Sequence, residues 1–316
     1  MIRTNGLTPG QATAIGLLAP ACWGLTVSLV RGIAEGFGMA QGEFLLYLIA
    51  TVSVFLAAGL PDFSRMDRRY LFLGVPTACV SSLSFCLAIF TSDGGAQTME
   101  VGMVNYTWPA LTVLFAVLFN GVKARWWLYA GLVVAFAGIV KVLSGDAGFS
   151  FAGFAVRFAQ NPVSYMLAVL ASVSWAGFSS MTRAWSRGQN PSAVIFCIDM
   201  ILFGLLWAAG IGTEPTGVTE CVTLYGIVSV ILGGMTLGAA YLVWTIGMSR
   251  GNITVLAVAS YFTPVLSCIF AVFWINADLQ GGDFWTGVAL VVAGSLVCWD
   301  ATGRGMKALE KKQCVK

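Results

Sequence analysis

"VNYTWPALTVLFA" (104–116) lies inside a long apolar run. Yet it sets four side chains capable of hydrogen bonding in a row, Asn105, Tyr106, Thr107 and Trp108, ahead of Pro109. Some 155 residues later the pattern returns as "ASYFTPVLSCIFA" (259–271), with Tyr261 at the place of Tyr106 and Pro264 at the place of Pro109. A proline inside a helix removes the hydrogen bond to the carbonyl four residues back, which frees the carbonyls of Asn105 and Ser260. A bare carbonyl in hydrocarbon costs several kcal/mol, so water, another helix or a bound molecule must meet it. The same costly exception at two matched places points to symmetry rather than to a flaw in one helix.

The surroundings set the solvent. Of 316 residues, 58% are hydrophobic and only 10% charged, and the mean hydropathy is +0.84. Soluble domains carry roughly 25% charged residues, so a water-soluble fold is excluded. Stretches of about 20 apolar residues cross a bilayer as helices, and ten occur, near 11–31, 42–60, 70–92, 97–119, 126–144, 163–185, 192–211, 221–247, 252–275 and 284–301. The alternating strands of a barrel are absent. Segment 11–31 is too long for a signal peptide and no small-residue cleavage site follows it. The sequence therefore predicts an all-α membrane protein of ten transmembrane helices.

Lysine and arginine concentrate on the cytoplasmic side of membrane proteins. With both termini inside, the inner segments hold Arg3, Arg65, Arg68, Arg69, Lys123, Arg125, Arg183, Arg187, Arg250, Arg304, Lys307, Lys311, Lys312 and Lys316. Only Arg31, Lys141 and Arg157 of the 17 cations fall outside. This bias predicts an N-in/C-in protein, and the net charge of +3 reflects topology rather than a nucleic-acid footprint. The basic tail rests against anionic headgroups of the bilayer.

The echo extends along the chain. "LLAPACWGLTVSLVR" (17–31) matches "VLASVSWAGFSSMTR" (169–183) with Trp23 over Trp175, and "GLVVAFAGIV" (131–140) matches "GVALVVAGSL" (287–296). Two repeats of five helices follow, 1–145 and 146–316. Because five is odd, the second enters the membrane from the opposite face. Inverted repeats are a common transporter architecture, with the substrate site near the midplane.

Tyr70, Trp126, Trp127, Tyr129, Trp285 and Trp299 stand at segment ends, where interfacial aromatics are ordinary. Trp23, Tyr106, Trp108, Trp175 and Tyr261 stand near segment centres, where that explanation fails. Each is open to a packing role; together they read as the lining of a central cavity. The side chains of Asn105, Ser179 and Ser260 add polar groups, and Pro109 and Pro264 act as hinges. Pro20 and Pro76 lack a repeat partner and read as simple kinks. Two carboxylates fall within spans. Glu100 is expected in the first turn of its helix, as a dipole cap or as a proton- or ammonium-binding group. Asp199, about 10 Å into its helix, is a functional candidate as an intramembrane acid, or else pairs with an arginine or a hydroxyl. Gly234-x-x-x-Gly238 and Gly131-x-x-x-Ala135 permit close helix approach. The eight cysteines, at 22, 79, 86, 197, 221, 268, 298 and 314, form no Cys-x-x-Cys and read as packing residues. With no histidine, neither a His-ligated metal nor a Ser–His dyad can be built, and nothing calls for a cofactor.

The chain as a whole resembles the drug/metabolite transporter superfamily, whose ten-helix members are two inverted five-helix repeats. "MEVGMVNYTWPALTVLF" (99–115) is similar to the corresponding stretch of the YddG-type aromatic amino acid exporters within it. The resemblance implies an inner-membrane exporter of aromatic and other neutral amino acids, with Tyr106, Trp108 and Trp175 lining the cavity. The histidine that some relatives place in the third helix is missing here.

A zwitterion needs acceptors for its ammonium and donors for its carboxylate, with little net field between them. Freed carbonyls and hydroxyls, tryptophan and tyrosine faces for the ammonium, and aromatic walls for the side chain supply these. The expected partners are thus amino acids and the lipid bilayer, with the chain a monomer or weak dimer. The competing reading, export of hydrophobic or cationic drugs, would favour a carboxylate in the cavity, so that Glu100→Gln would abolish cation transport and spare a neutral amino acid; an open channel is the third.

Overall fold

The computed structural model describes residues 6–144, 148–212, 224–275 and 282–313. Among these every regular element is helical. In chain order they are α1 (Pro9–Gly16), α2 (Ala19–Phe37), α3 (Met39–Ala58), α4 (Val75–Phe90), α5 (Gly94–Asn105), α6 (Trp108–Phe119), α7 (Trp127–Ser144), α8 (Phe151–Gln160), α9 (Pro162–Trp185), α10 (Ser192–Ala208), α11 (Leu224–Arg250), α12 (Ile253–Ala259), α13 (Thr263–Ile275) and α14 (Gly282–Gln313). Arg3, Lys316, Cys221 and Cys314 lie outside the described residues.

Among the described residues seven stretches are long and apolar enough to cross a membrane: Met39–Ala58, Tyr70–Phe90, Ala96–Phe119, Trp127–Ser144, Pro162–Trp185, Leu224–Arg250 and Ile253–Phe270. Ser192–Ala208 and Phe284–Cys298 are shorter apolar helices. The segment expected at 11–31 is two helices, α1 and α2, parted at Leu17–Leu18.

Proline explains where helices restart. It is tolerated in a first turn, where its missing N–H is not needed, and Pro9, Pro20, Pro76, Pro109 and Pro162 all stand there. Pro76 follows a π-helical turn, Tyr70–Gly74, that leads into α4. At Pro109 the expected kink is a full interruption. The Tyr106 amide bonds Gly102 O at 3.0 Å, the Thr107 amide bonds the nearer Val104 O at 3.1 Å, and α6 resumes at Trp108. At Pro264 a 3₁₀ turn, Ser260–Phe262, parts α12 from α13. The Ser260 carbonyl, expected to be freed by Pro264, instead accepts the Thr263 amide, which closes the 3₁₀ turn, while Thr107 Oγ1 donates to Val104 O at 2.8 Å and Ser260 Oγ to Leu256 O at 2.9 Å.

The helices pack α7 against α14, α2 against α11, α4 against α9 and α3 against α10. Further contacts join α2 to α13, α9 to α6, α3 to α11 and α10 to α4. The α7–α14 seam is glycine-lined: a Cβ on Gly294 would lie 2.4 Å from Ala135 N, and one on Gly138 2.6 Å from Val291 N. Gly234 brings α11 equally close to α3, with Ile49 Cβ 2.6 Å from where its own Cβ would be.

Two interfacial readings need separating. Trp126, Tyr129 and Trp285 are exposed as expected. Tyr70 instead is fully buried, stacked on Phe178 at 6.2 Å with its hydroxyl 2.8 Å from Thr182 Oγ1. Tyr70 is the first residue of the π-helical turn. Between α7 and α9 lies α8, a short amphipathic helix. Ser150 caps it, accepting from Gly153 N at 3.1 Å, and its Phe151, Val156 and Phe158 are exposed.

Candidate functional site

Trp23 on α2, Trp108 on α6, Trp175 on α9 and Trp244 on α11 converge at the middle of the bundle. All six ring pairs are in contact, with centroids from 5.2 Å (Trp23–Trp244) to 6.3 Å (Trp175–Trp244). Such offset and edge-on pairs are each worth about 0.5–1.5 kcal/mol beyond their burial. Tyr241, one turn before Trp244 on the same face, adds contacts at 5.0 Å to Trp175 and 6.3 Å to Trp23. Phe196 of α10 closes on Tyr241 at 4.6 Å.

The polar atoms in this cluster are few and unequal. Trp244 Nε1 donates to Ser179 Oγ at 3.2 Å, and both residues are fully buried. Trp175 Nε1 is buried without a hydrogen-bond partner among the described residues. A buried donor left bare costs on the order of 1–3 kcal/mol, and this one sits where four rings meet.

The seam between α5–α6 and α9 is pinned at three levels. Tyr165 Oη donates to Glu100 Oε2 at 2.5 Å, Thr107 Oγ1 to Ser172 Oγ at 3.2 Å, and Ser180 Oγ to Asn120 Oδ1 at 2.6 Å. Trp175 and Ser179 lie between the last two.

Glu100 is not in a first turn. It is the seventh residue of α5, and a cap would serve no purpose there. Its carboxylate is buried and takes both Arg157 Nε, at 2.9 Å, and Arg157 Nη2. The bond to Glu100 raises the Arg157 guanidinium above its ordinary pKa. Glu100 thus ties α8 to α5 and α9 by a charge-assisted fork.

Of the residues singled out from sequence, the structure joins Trp23, Trp108, Trp175 and Ser179. Tyr106 and Tyr261 share a second buried cluster with Leu132 and Ile139 of α7 and Cys298 of α14, where α6 also packs on α12. Asn105 is half-buried at the last residue of α5, and Ser260 is buried with its hydroxyl turned back on its own helix. Pro109 and Pro264 stand at the two breaks. Asp199 is fully buried on α10 beside Ser82 of α4, and takes a hydroxyl rather than an arginine. The rings themselves fill the middle. An apolar cavity of about 210 Å³ lies elsewhere, between α12 and α14 at Thr254, Val258, Phe262 and Ser295, and includes none of these residues. Trp244 and Tyr241 were not singled out. Their signal, two aromatics three residues apart inside a span, is present in "YLVW" (241–244).

Residues 11–144 match the EamA-like transporter family. The chain is 37% identical over 300 residues to the aromatic amino acid exporter YddG of Salmonella typhimurium (strain 14028s / SGSC 2262), covering 94% of this chain and 100% of that one. It is also 37% identical over 303 residues to YddG of Escherichia coli (strain K12), covering 95% and 100%. A solved crystal structure at 26% identity superposes with a TM-score of 0.76 and covers 94% of this chain and 99% of its own. With full-length relatives at this identity and a bundle of apolar helices around an aromatic centre, the chain belongs to the EamA-like transporter family, a membrane carrier and not an enzyme.

Proposed function

We propose that this protein exports aromatic and other neutral amino acids across the bacterial inner membrane by alternating access. The observation that carries the proposal is the four-tryptophan cluster with the bare Nε1 of Trp175 at its heart. An aromatic side chain entering between the rings exchanges ring–ring contacts for contacts of the same kind. Loaded and empty states then differ little in energy, as a carrier requires. Indole faces receive the ammonium, and Trp175 Nε1 donates to the carboxylate. The relatives matched along their whole lengths bear the name of aromatic amino acid exporters.

Alternating access needs two halves of similar build. We take these as 1–145 and 146–316, five spans each, inverted, with both termini cytoplasmic. Exchanging α2 with α9, α3 with α10, α4 with α11, α5–α6 with α12–α13 and α7 with α14 turns α2–α11 packing into α9–α4 and α2–α13 into α9–α6. It turns α3–α11 into α10–α4 and maps α3–α10 and α7–α14 onto themselves; all these pairs are in contact. Rocking of the halves uses the breaks before Pro109 and Pro264 as hinges. Tyr106, Asn105, Ser260 and Tyr261 border these breaks and shift with them. One copy, or a weakly paired dimer, suffices.

Counterflow of labelled phenylalanine in proteoliposomes tests the reading. Wild-type protein exchanges it saturably, and Trp108→Ala and Trp175→Ala reduce the exchange at least tenfold. Normal exchange by both variants would remove the tryptophan cluster from the site, and no exchange by folded wild type would sink the function. Cationic drug export would favour a carboxylate in the cavity, and Glu100 is taken up by Arg157 and Tyr165.

A further inference from the structure

Asp199 is the eighth residue of α10, about 10 Å along the helix, and is fully buried. Its Oδ2 accepts from Ser82 Oγ at 2.8 Å. Its Oδ1 is buried with no hydrogen-bond partner. The titratable groups that face it come from three helices: Glu43 and Tyr47 on α3, Cys79 with Cys86 beyond it on α4, and Tyr241 on α11. None of them is a cation.

An ionised carboxylate so placed has one hydroxyl and the weak donor of the Cys79 thiol to replace its water shell. Buried charge with no cation beside it costs far more than those two bonds return, and the group neutralises instead. A second acid, Glu43, in the same neighbourhood adds to the repulsion. A neutral carboxyl, by contrast, leaves one oxygen ready to give its proton to the first water that arrives. The site is also wired to the cluster. Tyr241, which faces Asp199, has its ring 5.0 Å from Trp175, and the Tyr47 ring stacks on Phe203 of α10 at 5.3 Å. Parting the rings around a substrate must move Tyr241, and with it one wall of the carboxyl's enclosure.

We propose that Asp199 is the proton-carrying group of this transporter, holding a proton while the rings are closed and releasing it when substrate parts them. The inference rests on the exporter reading above. Per cycle one proton from water binds the carboxylate on one side of the membrane and returns to water on the other, while the amino acid moves the opposite way. No other bond is made or broken. Ser82 holds the carboxyl in place and is a positioning residue.

The test measures two rates in the same vesicles, labelled phenylalanine counterflow without a pH gradient and accumulation driven by one. Wild type is expected to do both. Asp199→Asn loses at least tenfold in the ratio of driven accumulation to counterflow, and Asp199→Glu restores most of that ratio. Ser82→Ala keeps the carboxyl but removes its hydroxyl partner. It shifts the pH of half-maximal driven uptake, an outcome readable even where Asp199→Asn fails to fold. Wild-type indifference to the gradient, a wild-type ratio in Asp199→Asn, or an unshifted pH profile in Ser82→Ala each overturns the proposal while leaving export intact. Absence of wild-type counterflow overturns both.

Discussion

Trp175 and Trp244 occupy the same cluster, yet their indole N–H groups have opposite fates. Trp244 is satisfied by Ser179 at 3.2 Å, whereas Trp175 is bare. Phenylalanine in place of each keeps a ring and removes the donor, so the two variants separate structure from binding. Trp244→Phe is expected to cost about 1 kcal/mol of stability, the net worth of an ordinary hydrogen bond. The same change in a Ser179→Ala background should add little, as a double-variant melting cycle in detergent would read. Trp175→Phe should leave the melting temperature unchanged or raise it, and weaken phenylalanine binding severalfold by equilibrium titration. Equal loss of stability in both would mean that Trp175 has a partner after all. The fork at Glu100 makes a second residue-scale prediction. Arg157→Ala strands a buried carboxylate, while Arg157→Ala with Glu100→Gln strands none. The double variant should therefore melt higher than Arg157→Ala alone.

At the scale of elements, two devices shape the bundle, helices that stop and restart at proline and helices that meet through glycine. The α7–α14 seam has no room for a side chain at Gly138, where a Cβ would meet Val291 N at 2.6 Å. Gly138→Val should destabilise by about 1–3 kcal/mol through overpacking. Gly102→Ala, on α5 with nothing within 4 Å of its Cβ, should be neutral or gain slightly from helix propensity. Thermal melts of the two variants check this contrast. Departures from a regular helix at Pro109 and Pro264 were legible in the sequence because proline's missing N–H is a local fact, but the parting of α1 from α2 ahead of Pro20, read as a simple kink, was not; Trp23, Trp108 and Trp175 were legible from their depth. Trp244 and Tyr241 were not, because nothing in the first half echoes "YLVW" and a search guided by symmetry passes over them. The amphipathic α8 was also missed: "FAGFAVRFAQ" (151–160) is half a span in length and reads as a loop by hydropathy alone. Glu100 resisted for a different reason. Its partner Arg157 is 57 residues away, a distance that no local pattern encodes.

For the molecule as a whole, orientation is the property that charge predicts and function depends on. Reporter fusions after Lys123 and after Lys316 should behave as cytoplasmic, and one after Lys141 as periplasmic; the reverse result would turn the transporter, and the direction of export, upside down. The composition was enough to place the chain in a bilayer and to rule out histidine chemistry. The long-range meeting of α2, α6, α9 and α11 was only half visible, since three of its four tryptophans announce themselves and the fourth is located by packing.

Four indoles in mutual contact are also four chromophores whose transitions interact. Of the eleven tryptophans in the chain, these should dominate the near-ultraviolet circular dichroism as a coupled band, because coupling of this kind falls steeply with ring separation. Parting the rings would dissolve that band, so the empty and loaded carrier should differ in spectrum without any added label. The transport cycle would then have an optical readout supplied by the residues that perform it.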